Sequence, residues 1–203
     1  MRSLDRFRTP RFAITAVFVL NGVVYGAWAS RIPAIQNRLD LGEGALGIAL
    51  AAVALGALLC MPFSGSWSAR VGSRRVTRLA LVAAAFAVAL IALAPSLPVL
   101  ILGALALGMA NGGLDVAMNA QGAAVERRAD RLIFSSLHAG FSAGGLVGAL
   151  SGAAAAAADV DARVHLAVIG ALALALGLPA SRHLLPADAD AEPEGPSFAR
   201  PTR

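Results

Sequence analysis

The chain has 203 residues, of which 58% are hydrophobic and 14% are charged, with a mean hydropathy of +0.71 and a net charge of +5. This composition lies well away from that of soluble globular proteins and indicates an integral membrane protein. All 17 basic residues are arginines that mostly flank apolar stretches, so the positive charge indicates membrane topology and argues against a nucleic-acid binder.

Six apolar stretches, spans 1 to 6, follow one another along the chain. Each is about long enough to cross a ~30 Å hydrocarbon core at 1.5 Å per helical residue. In chain order they cover residues 12–30, 45–66, 76–94, 97–123, 133–158 and 164–181. We therefore expect a transmembrane bundle over 12–181, preceded by a basic segment over 1–11.

The arginines divide unequally between the two sides of the membrane. If the N-terminus is cytoplasmic, 14 of the 17 lie on the cytoplasmic side, and only Arg31, Arg38 and Arg163 lie on the other. The positive-inside rule then predicts a multi-pass protein of the bacterial plasma membrane with both termini in the cytoplasm. A cleaved signal peptide ending near Ala27-Trp28-Ala29 is the alternative for span 1, and the five spans that follow favour a retained helix.

Polar side chains form a stripe on spans 1 and 4, at spacings of three and four residues: Asn21, Tyr25, Trp28, Asn111, Asp115 and Asn119. Spans 2 and 5 are rich in small residues, whereas spans 3 and 6 contain long purely apolar runs. The same order thus occurs twice, in units that enter the membrane from opposite sides, as in an inverted-topology repeat. The sequence predicts an all-α membrane protein of two inverted three-helix repeats. Spans 1 and 4 should face a polar cavity, and spans 3 and 6 should face lipid.

Asp115 is the most informative single residue, because a carboxylate within a membrane helix costs about 2.5–3.5 kcal/mol on insertion scales. His138 in span 5 is its expected partner if spans 4 and 5 form an antiparallel hairpin about the charged turn at 126–131. Their depths would then agree within about a turn. Such a pair can share a proton, which suits a proton-coupled step.

Each of these polar residues also has a structural interpretation. Asp115 could bond Asn119, Ser135 or Ser142 and simply hold helices together. The expected solute contacts, which could equally be interhelical polar contacts, are Asn21, Tyr25, Trp28, Asn111, Asn119 and Gln121. Trp28 could instead be an interfacial aromatic anchor.

A glycine stripe runs along span 5 at every fourth residue: Gly140, Gly144, Gly148 and Gly152. Such a stripe predicts close helix packing. It also explains a literal G-x-S-x-G match at 140–144, which lacks the strand-to-helix elbow of a hydrolase. The sequence therefore predicts no enzyme, and we find in it no cofactor or metal motif.

Residues 65–75, between spans 2 and 3, resemble the cytoplasmic signature loop of the major facilitator superfamily, G-x-L-a-D-R-x-G-R-R/K-R/K. The matching residues are Gly65, Arg70, Gly72, Arg74 and Arg75. Ala69 stands where the signature has Asp. The resemblance implies a loop that gates the cytoplasmic side through charge contacts, and the missing carboxylate departs from that pattern.

Residues 20–33, 111–122 and 135–145 resemble the rhizopine-permease-like, or MosC-like, branch of that superfamily. The resemblance extends over about 10–182 and implies a twelve-helix transporter, of which this chain supplies the N-terminal six-helix half. The acidic, Pro-rich end is expected to be a disordered cytoplasmic tail or inter-half linker over 182–203.

The interpretation we favour is alternating-access transport of a small polar solute. The expected partners are the lipid bilayer and a second six-helix half, either a C-terminal half or a homodimer copy. A truncated, non-transporting membrane protein or a membrane interaction module is the alternative.

Overall fold

The computed structural model describes residues 2–187, with side chains from Thr9 onward, and this part of the chain is helical apart from short turns. Its helices are α1 (Arg2–Ser30), α2 (Ile32–Arg38), α3 (Glu43–Val71), α4 (Ser73–Leu93), α5 (Leu97–Ala129), α6 (Phe134–Ala157) and α7 (Ala162–Ser181). Every one except α2 is long and apolar enough to cross a membrane, α1 from Thr9 onward. The six expected spans are therefore confirmed as α1, α3, α4, α5, α6 and α7.

The short helix α2 differs from the loop that the sequence predicts after span 1. Pro33 follows the end of span 1 in the sequence, and it occupies the second residue of α2. A proline is well suited to that place because the first helical N–H groups need no intrahelical acceptor. Ile35 anchors α2 by packing into the apolar core.

Helix α5 is longer than the sequence predicts, because the charged turn expected at 126–131 continues the helix to Ala129. One Glu126 carboxylate oxygen accepts the backbone N–H groups of Ile133 at 2.6 Å and Phe134 at 3.1 Å. These are among the free N–H groups at the start of α6. Glu126 thus belongs to α5 and caps α6.

The packing of the helices has an internal symmetry. Helix α6 packs along α1 in the same way that α3 packs along α5, and α1 contacts α7 as α5 contacts α4. The contacts between α1 and α5, and between α4 and α7, join equivalent helices of the two halves. Exchanging the first three spans with the last three therefore maps every major contact either onto its equivalent or onto itself, which is the predicted inverted repeat.

Two clusters of buried apolar residues form the core, one at each end of the bundle. The first includes Trp28, Ile35 and Leu100, and the second includes Phe18 and Leu185. Helices α3 and α6 are the most exposed spans, with large apolar side chains on their outer faces. One end of the bundle carries residue 72 between α3 and α4, the loop 130–133 and the segment 182–187, and we call it the arginine-rich end. We call the other end the opposite end.

The chain continues in an ordered way beyond α7, where the sequence predicts a disordered tail from residue 182. The side chains of Leu184 and Leu185 are buried in the second apolar cluster. Ala187 lies directly against Gly72. Residues 182–187 therefore pack on the bundle, and the rest of the expected tail, 188–203, lies outside the described residues.

Candidate functional site

A polar stripe on α5 lies between the packing surfaces of α1 and α3. Asn111, Asp115 and Asn119 are all half-buried there. The Asn119 amide donates to the backbone carbonyl of Asp115 at 2.8 Å and to its carboxylate at 3.2 Å. Among the described residues, no basic side chain forms an ion pair with Asp115. The carboxylate is thus held by its own helix while the stripe stays accessible.

Helix α1 contributes Tyr25 to the same open surface, but it does not contribute Trp28. Tyr25 is 39% exposed, whereas Trp28 is buried in the apolar core beside Ile35. Their rings meet edge to face at 5.4 Å between centroids. The structure therefore gives Trp28 a packing position, in which it supports the Tyr25 ring.

Asn21 fixes the relative depth of α1 and α5. It is buried between the two helices, with its side-chain nitrogen 3.9 Å from the sulfur of Met118. The helices are antiparallel, so Tyr25 lies about 6 Å and Asp115 about 4.5 Å from that contact in the same direction. The phenol of Tyr25 and the carboxylate of Asp115 are therefore presented at nearly one depth.

His138 lies apart from Asp115, contrary to the expected pair. The His138 ring is exposed, with its Nδ1 3.1 Å from the carbonyl oxygen of Phe134, and its centroid lies 5.5 Å from that of Phe18. Phe18 lies about 4.5 Å below Asn21, so roughly 9 Å of depth separates His138 from Asp115. The expected hairpin is wrong because α5 runs on to Ala129 and because α6 packs on α1.

Gln121 also lies away from the polar stripe. It is fully buried, donating to the Leu185 carbonyl at 3.0 Å and accepting the Leu185 N–H at 3.0 Å. An amide that bonds both backbone groups of one residue is occupied by the protein itself. The structure therefore corrects its predicted role: Gln121 holds the segment after α7.

The loop that resembles the superfamily signature joins α3 to α4 at the arginine-rich end. Gly72 adopts a φ of +84°, a left-handed conformation that favours glycine, and Arg74 donates to the Arg182 carbonyl at 2.7 Å. Arg70 and Arg75 are exposed, and Gly65 faces Val116 of α5. The loop thus contacts the segment after α7, and its two exposed arginines, Arg70 and Arg75, face outward.

The glycines of α6 allow α1 to approach at backbone distance. A Cβ at Gly144 would meet the carbonyl oxygen of Val19, and a Cβ at Gly148 would meet that of Val23. Gly152 faces Ser30, and a Cβ at Gly140 would lie 3.3 Å from the Val19 side chain. The equivalent contacts of α3 with α5 also rely on glycines, Gly56 and Gly108, which the sequence showed only as an excess of small residues.

Comparisons with known proteins agree with this architecture. The family model of the major facilitator superfamily matches residues 10–202. The chain belongs to the major facilitator superfamily. It is 35% identical over 144 residues to an uncharacterized transporter, y4wD, of Sinorhizobium fredii, covering 71% of this chain and 38% of that protein. It is 36% identical over 137 residues to the membrane protein MosC of Rhizobium meliloti, covering 66% and 34%.

Solved structures share the fold of this superfamily member. The nucleoside transporter NupG superposes with a TM-score of 0.73 at 14% identity, over 92% of this chain and 47% of that one.

An uncharacterized MFS-type transporter of Yersinia pestis is 31% identical over 184 residues, covering 91% of this chain and 48% of that protein. The chain therefore spans about half the length, or less, of the relatives it matches. The similarity to MosC confirms the predicted branch, and relatives that are transporters bear out the prediction that the chain is not an enzyme.

Proposed function

We propose that this chain forms one six-helix bundle of a secondary transporter that moves a small polar solute by alternating access. The observation that carries the proposal is the half-buried stripe Asn111–Asp115–Asn119 on the open face between α1 and α3. Polar groups at the middle of a membrane helix are costly unless they face water or protein. A solute that bears hydroxyl or amine groups could replace water at this stripe and at Tyr25.

A second six-helix bundle is the partner that this arrangement requires. Transporters of this architecture place the solute between two bundles that rock about a central site. Helix α3 packs on α5 and helix α6 packs on α1, and both carry exposed apolar residues such as Leu58 and Leu146, which suit contact with another bundle. The second bundle is either a C-terminal half or a second copy of this chain. Native mass measurement separates a monomer of 20.5 kDa from its dimer.

Asp115 is the proposed proton-coupling group, and His138 is a separate candidate nearer the arginine-rich end. A membrane carboxylate favours its neutral form when it loses water and its charged form when it gains water or a cation. Alternating access changes the hydration of the stripe, so the same motion would load and release a proton at Asp115. By the positive-inside rule, the arginine-rich end faces the cytoplasm in this scheme.

The coupling role predicts the outcome of replacing Asp115 by Asn, which keeps the side-chain shape and removes the titratable group. Proteoliposomes containing the chain and a trapped pH dye would be given hexoses, inositols and amino acids in turn. Solute-driven proton entry should fall to background in Asp115→Asn, while insertion and thermal stability remain. Asp130→Asn removes an equal charge from the turn after α5 and should leave the signal unchanged. Wild-type proton entry in Asp115→Asn would contradict the coupling role.

A further inference from the structure

Among the arginines whose side chains the structure describes, three lie away from the arginine-rich end, and they meet at one place. Arg31, Arg38 and Arg163 all line a cavity of about 430 Å³ at the opposite end of the bundle, between α2 and the loop that joins α6 to α7. Few of the described arginines lie at the opposite end of the bundle, so the convergence of these three is informative. Arg31 lies six residues beyond Tyr25, about 9 Å further along, which separates the cavity from the polar stripe.

The Arg31 guanidinium is buried, and no carboxylate in the described part of the chain pairs with it. The residue is only 4% exposed, and its two terminal nitrogens donate to the carbonyl oxygens of Gly152, at 3.2 Å, and Val160, at 2.5 Å. Its Nε is buried and has no hydrogen-bond partner among the described residues. Carbonyl groups supply only partial charges, so they leave the full positive charge of a desolvated guanidinium uncompensated.

Arg38 repeats this pattern on the last turn of α2. One terminal nitrogen, Nη1, donates to the Ala94 carbonyl at 2.9 Å, which ties α2 to the end of α4. Within the described part of the chain, its Nε and Nη2 are buried without a partner. These two nitrogens form the edge with which a guanidinium binds two oxygens of one anion. The two arginines together therefore hold three unused donors.

In the described part of the chain, no carboxylate forms an ion pair with Arg31 or Arg38, although the charge of Arg38 also helps to lower the pKa of Asp161. Asp161 is engaged by Arg163, whose side-chain nitrogens donate to it at 2.6–3.1 Å, and this contact lowers the pKa of Asp161 to about 2. Asp159 is the other carboxylate in the lining. Three arginines and two aspartates leave the cavity with a net charge of +1.

We propose that Arg31 and Arg38 form a binding site for a phosphate group that carries a single negative charge. A tetrahedral phosphate offers enough oxygens to accept from both guanidiniums, and one negative charge balances the cavity. The site is at the end of the bundle, where the headgroup of an anionic phospholipid or a small soluble phosphate could reach it. It does not depend on the proposed transport activity.

The test measures the binding of two phosphate sources to the purified chain in detergent. Phosphatidylglycerol would be followed by native mass spectrometry against phosphatidylcholine, and inorganic phosphate by thermal stabilisation at constant ionic strength set with chloride. Arg38→Gln should weaken the bound source about tenfold or more, because a charged hydrogen-bonding edge is lost. Arg128→Gln removes an equal charge from the arginine-rich end and should change the affinity less than about twofold.

The outcomes separate the sources and decide the proposal. Binding of phosphatidylglycerol alone identifies a lipid headgroup, and binding of inorganic phosphate as well identifies a soluble ligand. In both cases, Arg38→Gln must weaken the binding of the source that is bound. Absence of binding by both sources, or equal weakening in Arg128→Gln, overturns the proposal. If Arg38→Gln fails to fold, Arg38→Lys decides, since it keeps the charge but loses the two-nitrogen edge, and an unchanged affinity in that variant also overturns it.

Discussion

Asp115 and Gln121 lie six residues apart on α5, yet their surroundings give them different roles. Asp115 is half-buried on the open face, and among the described residues its carboxylate is hydrogen-bonded by its helical neighbour Asn119 alone. Gln121 is fully buried and bonds both backbone groups of Leu185. Sequence spacing places both among polar residues of a membrane helix, but it cannot show that the chain beyond α7 folds back onto Gln121. That long-range contact separates a residue on the open face from a structural one.

Gly144 and Gly145 are neighbours that predict opposite effects of one added methyl group. A Cβ at Gly144 would clash with the Val19 carbonyl oxygen, whereas a Cβ at Gly145 would meet only the Gly22 oxygen at 3.9 Å. Gly144→Ala should therefore force α1 and α6 apart and cost about 1–3 kcal/mol. Gly145→Ala is the matched control and should be near neutral. Thermal unfolding of both variants in detergent measures the difference, and equal stability of the two would count against the packing described.

The sequence predicts which membrane helices exist better than it predicts where each helix begins and ends. Long apolar runs dominate the insertion energy, so all six spans are recognisable from hydropathy alone. The start of α2 and the end of α5 depend instead on single contacts, the packing of Ile35 and the capping by Glu126. From local composition, Pro33 and the charged run after Val125 both resemble helix ends. The contacts that extend the helices cannot be seen at this level, because the contacting residues are remote in sequence.

Glu126 predicts a measurable effect on the beginning of α6. Glu126→Ala would leave the N–H groups of Ile133 and Phe134 without their acceptor and remove a negative charge from the helix N-terminus, at a cost of about 0.5–2 kcal/mol. Amide hydrogen exchange at Ile133 and Phe134 should then accelerate. Glu126→Gln keeps an acceptor oxygen and should show a smaller change. Unaltered exchange in Glu126→Ala would show that the carboxylate does not cap this helix.

For the molecule as a whole, the internal symmetry explains which parts of the candidate site can be predicted from the sequence. The polar, small and apolar order of the spans predicted the inverted repeat, and the pairing of α1 with α6 and of α3 with α5 confirms it. The same symmetry keeps α5 and α6 largely apart, so the expected contact between Asp115 and His138 does not form. Chain connectivity suggested a hairpin that packing overrides, and only the global arrangement could show this.

Water and solute should reach the stripe on α5 from the open face between α1 and α3. Met109 provides a matched control, because it lies two residues from Asn111, about 200° around the helix, and is exposed on the apolar side. In a background with Cys60 replaced by Ala, single cysteines at 111 and 109 would be treated with a water-soluble maleimide in membranes.

We expect rapid labelling of Asn111→Cys and protection of Met109→Cys by lipid. Equal labelling of the two positions, or faster labelling at 109, would contradict it.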